Sequence, residues 1–190
     1  QVRVDLPAAY GRLHALGVIL RCVEKHALLM PHISFSDRFV DPEEEDIDIV
    51  VRIGGSDIWS QALGRRYLGA ERLIFCASPQ YVMKHGEPKT ERDLEHHSCV
   101  VYGRSDGGVN PWHFAGADGG AERRVMPARI AVGDGEGQTA AVLAGHGIAQ
   151  LPTWLIAQAL QSGALVEVLP HLATDGSPMN LVWLKRRQSQ

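Results

Sequence analysis

The residues of this chain with chemical potential are three cysteines, nine histidines and a turn where glycine alternates with acid. Cys22, Cys76 and Cys99 are odd in number and widely spaced, which argues against a disulfide framework and fits a reducing compartment. The nearest metal-like cluster, His96, His97 and Cys99, lacks the paired ligands of a structural zinc site. Loop and strand roles are expected for it. There is no G-x-S-x-G elbow, phosphate loop, H-E-x-x-H or C-x-x-C, and no base–nucleophile pair. No catalytic residue, metal or cofactor is assigned, which speaks against an enzyme.

Gly133, Gly135 and Gly137 alternate at a strand-to-helix turn, but not with the spacing of a dinucleotide fingerprint. They read as a tight turn that lets backbone approach a ligand or a neighbouring strand. Asp134 and Glu136 in the same turn would satisfy the N–H groups and partial positive charge of the following helix. They would occupy the place an anionic ligand would want. Arg52 could favour an anion, but within a buried strand it is expected to pair with an acidic neighbour such as Asp48 or Asp37.

The elements that must hold these residues alternate between strand and helix, which reads as α/β. Val2, Val4 and Leu6 alternate as a strand, and Pro7 suits the first turn of a helix reaching residue 26. Leu13, Leu16, Leu20, Val23 and Ala27 form one apolar stripe on it, and Ala15, Ile19 and Cys22 widen this to a second face. A helix apolar on two sides must be covered twice. Strands follow at 33–36 and 48–53, the latter apolar on both faces, with the acidic run Glu43 to Asp46 between them read as a solvated helix face. Further strands are expected at 72–79, 99–102, 111–114, 122–126, 129–132, 148–152, 164–169 and 180–184. Helices are expected at 80–85, 91–95, 138–144 and 153–161, the last with Thr153 as its N-cap. Trp59, Trp112, Trp154 and Trp183 are read as core or domain-edge packing.

The chain's 190 residues are enough for one or two domains with a real core. A net charge of −3 gives no general attraction for DNA or RNA. No apolar run approaches a membrane span, and neither a secretion signal nor an initiator Met is present, which suggests a fragment or a processed chain.

Ordered blocks carry a resemblance. Phe35-Ser36-Asp37-Arg38-Phe39-Val40-Asp41 precedes Asp46-Ile47-Asp48-Ile49-Val50-Val51-Arg52-Ile53-Gly54. Then come Leu68-Gly69, Arg72 through Ser78-Pro79-Gln80-Tyr81, Gly86-Glu87-Pro88, Asp93-Leu94, His97-Ser98-Cys99 and Trp112-His113-Phe114. Ala140-Ala141-Val142, Gly145-His146-Gly147-Ile148-Ala149-Gln150-Leu151-Pro152 and Gly163-Ala164-Leu165-Val166 close the set. Over nearly its whole length the chain resembles the regulatory domain of LysR-type transcriptional regulators, in particular the subgroup that includes the glycine-cleavage activator.

That resemblance implies a type II periplasmic-binding-protein-like fold, with two Rossmann-like α/β subdomains facing across a cleft. Crossovers would fall near residues 75–79 and 165–170, giving subdomain I at 1–75 plus 166–190 and subdomain II at 76–165. It also implies a small-molecule effector in the cleft, a cytoplasmic location without membrane contact, and DNA binding only through an N-terminal winged helix-turn-helix that has no counterpart in this chain. Family members usually add a final helix, so the C-terminus looks trimmed. The assembly implied is an antiparallel homodimer or higher homo-oligomer, the helix at 12–23 of one chain facing that at 138–146 of another. A solute-binding protein of a transport system and an enzyme on a two-subdomain scaffold are the competing readings.

In open α/β sheets, ligands bind outside the carboxyl ends of strands. The expected effector site is therefore Asp5, Leu6 and Pro7; Ser36 and Asp37; Ile53, Gly54 and Gly55; Tyr102, with Gly103; Gly133, Asp134 and Gly135; and Leu151 and Pro152. Many family members place Ser or Thr where this chain has Pro7. With Asp134 and Glu136 in the second turn, a neutral, zwitterionic or cationic effector is expected rather than a dicarboxylate.

Overall fold

The computed structural model describes residues 1–55, 60–116 and 120–187. Trp59 lies outside them. By contacts the chain divides into two compact units, Gln1–Ala70 with Ser177–Gln190, and Glu71–Gly176. The division falls inside two long strands, β4 (Leu63–Ala77) and β11 (Thr174–Leu184), against the boundaries at 75/76 and 165/166 that the resemblance implied.

In the first unit, β1 (Val2–Leu6) lies between β2 (Pro31–Phe35) and β3 (Ile49–Ile53), parallel to both. β11 pairs antiparallel with the far side of β3. Alternation along β3 sends Val50 to one buried cluster, with Val40, Ile47 and Val182, and Val51 to another, with Val4 and Leu6. The strand is thus covered on both faces, as its apolar run requires. Residues 8–25 form helix α1, with a π-type segment Gly11–Ala15 inside it. An added Cβ at Gly11 would lie 2.7 Å from Leu6 Cβ and 2.8 Å from the Phe35 ring, so helix and sheet approach too closely for a side chain. Tyr10, Ala15 and Ile19 pack on the sheet, while Leu13, Val18 and Leu20 stay about half exposed. Of the first stripe read from the sequence, Leu13 and Leu20 are thus left uncovered, while Ala15 and Ile19 of the second face are packed.

Residues 42–46 form turns, not the helix expected for the acidic run. Asp41 explains this: its carboxylate accepts from the N–H groups of Glu43 and Glu44, a local alternative to helix, and Asp46 takes a left-handed φ of 55°.

The second unit is an α/β layer. Its strands run β8 (Ala128–Val132), β5 (Cys99–Tyr102), β9 (Ala149–Pro152), β4, β10 (Val166–Val168), with β5 and β9 joined through a parallel bridge at Cys99 and Ile148. Helices α2 (Pro79–His85), α3 (Gly135–Leu143) and α4 (Thr153–Gln161) complete it. Phe75 and Ala77 face one core with Trp112 and Phe114; Ile74 and Cys76 face the other with Val142 and Ile156. Hairpin β6–β7 (Trp112–Ala115, Ala121–Arg124) is tied to β9 by Gln150, whose amide accepts from His113 N–H at 2.8 Å and donates to His113 carbonyl at 2.7 Å.

α3 begins at Gly135, three residues before its expected start, because Asp134 already caps it. α4 is capped by Pro152 in an extended conformation, and Thr153 is its first helical residue rather than its N-cap.

Candidate functional site

In the first unit the expected residues lie at the carboxyl ends of β1, β2 and β3. Pro7 is the residue before α1 and provides no side-chain cap. Asp37 supplies it instead, its Oδ1 accepting from Ala8 N–H at 2.9 Å. Asp5 is 4% exposed and accepts from the Ser34 hydroxyl at 2.6 Å. Burial raises its pKa, opposed by the Ser34 bond and by Arg38 and Arg52. The Ser36 hydroxyl oxygen is buried with no hydrogen-bond partner among the described residues. Leu6 is a core residue, so only its main chain is left for a ligand. β3 ends at Ile53, and Gly54 and Gly55 follow with φ of 74° and 100°. These are left-handed values that favour glycine.

Of the acidic neighbours expected for Arg52, Asp48 and Asp37 are held by other groups. Arg52 donates to the Val40 carbonyl and stands 5.5 Å from the Phe39 ring centroid. Asp48 is held by Arg3 N–H and Arg187, and Asp37 by α1. Burial lowers the Arg52 pKa, with Asp41 and Asp5 opposing. Opposite Arg52 on β11 sits Asn180, 7% exposed. Sequence reasoning missed Asn180 because its strand was expected only to begin there.

In the second unit, Tyr102 ends β5, Gly133 follows β8, and Leu151 and Pro152 are the last two residues of β9. Gly103 N–H donates to Val132 carbonyl at 3.0 Å, and a Cβ on Gly133 would lie 3.0 Å from the Gly103 oxygen. Gly133 thus serves the approach of a neighbouring strand end. Asp134 Oδ1 accepts from Gly137 N–H at 2.7 Å, and Gly135 and Glu136 form the first turn of α3. Leu151 is buried in the core, and Pro152 opens α4. Gln138, in that same first turn, is 5% exposed and was not singled out by the sequence.

His97 Nδ1 lies 3.0 Å from the Tyr81 hydroxyl, which accepts from Ser98 N–H. Burial pushes the Cys76 thiol up to about 12 and Cys99 to about 11. Among the described residues no group of three or more His, Cys, Asp or Glu is arranged to hold a metal ion. Among the described residues no helix is long and apolar enough to cross a membrane.

In each unit, strand ends lead into helix N-termini, two of them capped by a carboxylate. The chain matches the LysR substrate binding domain over residues 1–190 and belongs to that family. It is 30% identical over 189 residues to the HTH-type transcriptional regulator YhjC of Escherichia coli, covering 99% of this chain and 62% of that protein. It is 28% identical over 184 residues to an HTH-type transcriptional regulator of Haemophilus influenzae, covering 97% and 62%. The regulatory domain of CrgA, a LysR-type regulator from Neisseria meningitidis, matches with a TM-score of 0.84 at 24% identity, over 100% of this chain and 91% of that one. The chain spans about three fifths of the curated relatives it matches. The fold is the α/β fold of LysR regulatory domains, and because the relatives are transcriptional regulators, the transport reading is not favoured.

Proposed function

We propose that this chain is the effector-sensing domain of a LysR-type DNA-binding regulator, in the subgroup of the glycine-cleavage activator. It binds a small molecule at the strand ends Asp5–Pro7, Ser36–Asp37, Ile53–Gly55, Tyr102, Gly133–Gly135 and Leu151–Pro152. DNA is read by a winged helix-turn-helix outside this chain, in the cytoplasm. The observation that carries the reading is the family match along the whole chain.

The effector's charge follows from the caps. Two helix N-termini beside these ends already carry a carboxylate, Asp37 on Ala8 N–H and Asp134 on Gly137 N–H. Each fills the donor that an anion would take. The effector is accordingly neutral, zwitterionic or cationic. A thermal shift screen tests this: a ligand at ~100 times its dissociation constant stabilises by about 2.7 kcal/mol. A dicarboxylate as the tightest ligand would contradict the charge assignment.

For assembly, the half-exposed Leu13, Val18 and Leu20 on α1 and the exposed Leu143 on α3 fit a homodimer in which α1 of one chain meets α3 of the other. Light scattering is expected to give a dimer, and Leu20→Asp a monomer. A wild type that stays monomeric at high concentration excludes it.

A further inference from the structure

Within the first unit, a pocket of about 290 Å³ shares no lining residue with the strand ends assigned to the effector. That volume stands at the small end of ligand pockets, roughly 300–1,000 Å³. Its apolar lining comes from Val40, Pro42 and Leu63. Val40 is 2% exposed and sits in the core cluster with Ile47, Val50 and Val182, against which Leu63 packs. The floor of the pocket is therefore the outer layer of that core. Phe39 adds an aromatic wall that stays 63% exposed.

The charged lining carries an excess of negative charge, with the carboxylates of Asp41 and Glu43 against the one guanidinium of Arg52. Arg52 is already engaged. It donates to the Val40 carbonyl, stands over the Phe39 ring at 5.5 Å, and is attracted by Asp41 and Asp5. Asp41 Oδ1 accepts from the N–H groups of Glu43 and Glu44. Neither Asp41 Oδ2 nor the Glu43 carboxylate accepts a hydrogen bond from a described residue. Two carboxylates with acceptor capacity thus stand beside an aromatic wall and an apolar floor.

We propose that this pocket is a second binding site, separate from the strand ends, for a small organic cation that carries a primary ammonium on a short apolar body. The ammonium brings three donors and no acceptor, which suits carboxylate oxygens. Its charge is attracted to the face of a phenyl ring within about 6 Å. The apolar body covers Val40, Pro42 and Leu63. An anion would meet two carboxylates, and an uncharged analogue would gain nothing from them.

The test titrates 2-phenylethylammonium into the chain and follows backbone amides, with 2-phenylethanol and 3-phenylpropionate as its uncharged and anionic counterparts. Saturable shifts are expected at residues 39–41, 43, 52, 60 and 63, weakening as ionic strength rises. The alcohol should bind more weakly by about threefold or more, the scale of a partly exposed ion pair, and the anion more weakly still. Asp41→Asn with Glu43→Gln should weaken the ammonium probe by a similar factor and leave the alcohol unchanged. Asn at 41 keeps the acceptor that holds the turn. Glu43→Gln alone, at an exposed side chain, repeats the comparison with about half the effect should the double variant fold poorly. Equal or tighter binding of 3-phenylpropionate, or ammonium binding unmoved by these substitutions, overturns the cation assignment. Shifts at residues 5–8 and 36–37 with 39–43 unmoved, or no saturable shift at all, overturn the site. None of these results bears on the strand-end reading, which rests on other residues.

Discussion

Replacing Asp134 separates its role as a cap from its role as a charge. Its Oδ1 takes the Gly137 N–H at 2.7 Å in an extended residue, the geometry of an N-cap. Asp134→Ala removes that acceptor and should cost about 1 kcal/mol, within the usual range of about 0.5–2 kcal/mol for a lost cap. For a chain of this size that lowers the melting temperature by roughly 2–4 °C. Asp134→Asn keeps an oxygen of the same reach, so only the interaction of charge with helix dipole is lost, about 0.3–1 kcal/mol. Urea denaturation with unchanged slope gives both values. The same variants titrated with succinate test the ligand side: Asn should bind it better than wild type, because a carboxylate no longer stands at the helix end. Equal stability of Ala and wild type, or tight succinate binding by wild type that Asn does not improve, would refute the reasoning.

Three other outcomes follow from the packing and the titratable groups. Gly64→Ala puts a Cβ 2.2 Å from the Trp183 ring and should destabilise by about 1–3 kcal/mol, read by urea midpoint. Gln150→Leu removes both bonds to His113, should cost about 1–3 kcal/mol, and should speed amide exchange at His113 beyond any global change. Burial lowers the pKa of His97, with His85 and His96 adding repulsion against Asp93, and lowers that of His113, with Arg123 adding to it. The unfolded chain, with histidines near 6.5, then binds protons before the folded one does. Stability is complete above about pH 6.5 and falls as pH drops below it. Urea midpoints from neutral to mildly acidic pH should show this slope, and His97→Gln should flatten it.

What the sequence revealed were features set by local alternation and by punctuation. Val50 and Val51 could be read as buried on opposite faces because both are apolar, and Gly54-Gly55 as the stop because the turn needs positive φ. The capping role of Asp134 was visible for the same reason. What it hid depends on tertiary context. β4 begins at Leu63, through Arg65, Arg66 and Tyr67, whose exposed polarity resembles a loop. β11 begins at Thr174 and passes Gly176 and Pro178, residues that ordinarily end a strand. The acidic run is a turn because Asp41 bonds locally. Asp37 as the cap of α1 comes from 29 residues along the chain, beyond any local pattern. Gln138 and Asn180 look unremarkable in sequence, and only the fold shows that they are buried.

The central claim is that the strand ends of each unit hold a small-molecule effector, and amide chemical-shift mapping tests it most directly. With the probe that raises the melting temperature most, the account predicts shifts concentrated at residues 5–8, 36–37, 53–55, 102–103, 133–138, 151–152 and 180. Shifts confined instead to the β6–β7 hairpin or the exposed face of α1, with those strand ends unmoved, would contradict it.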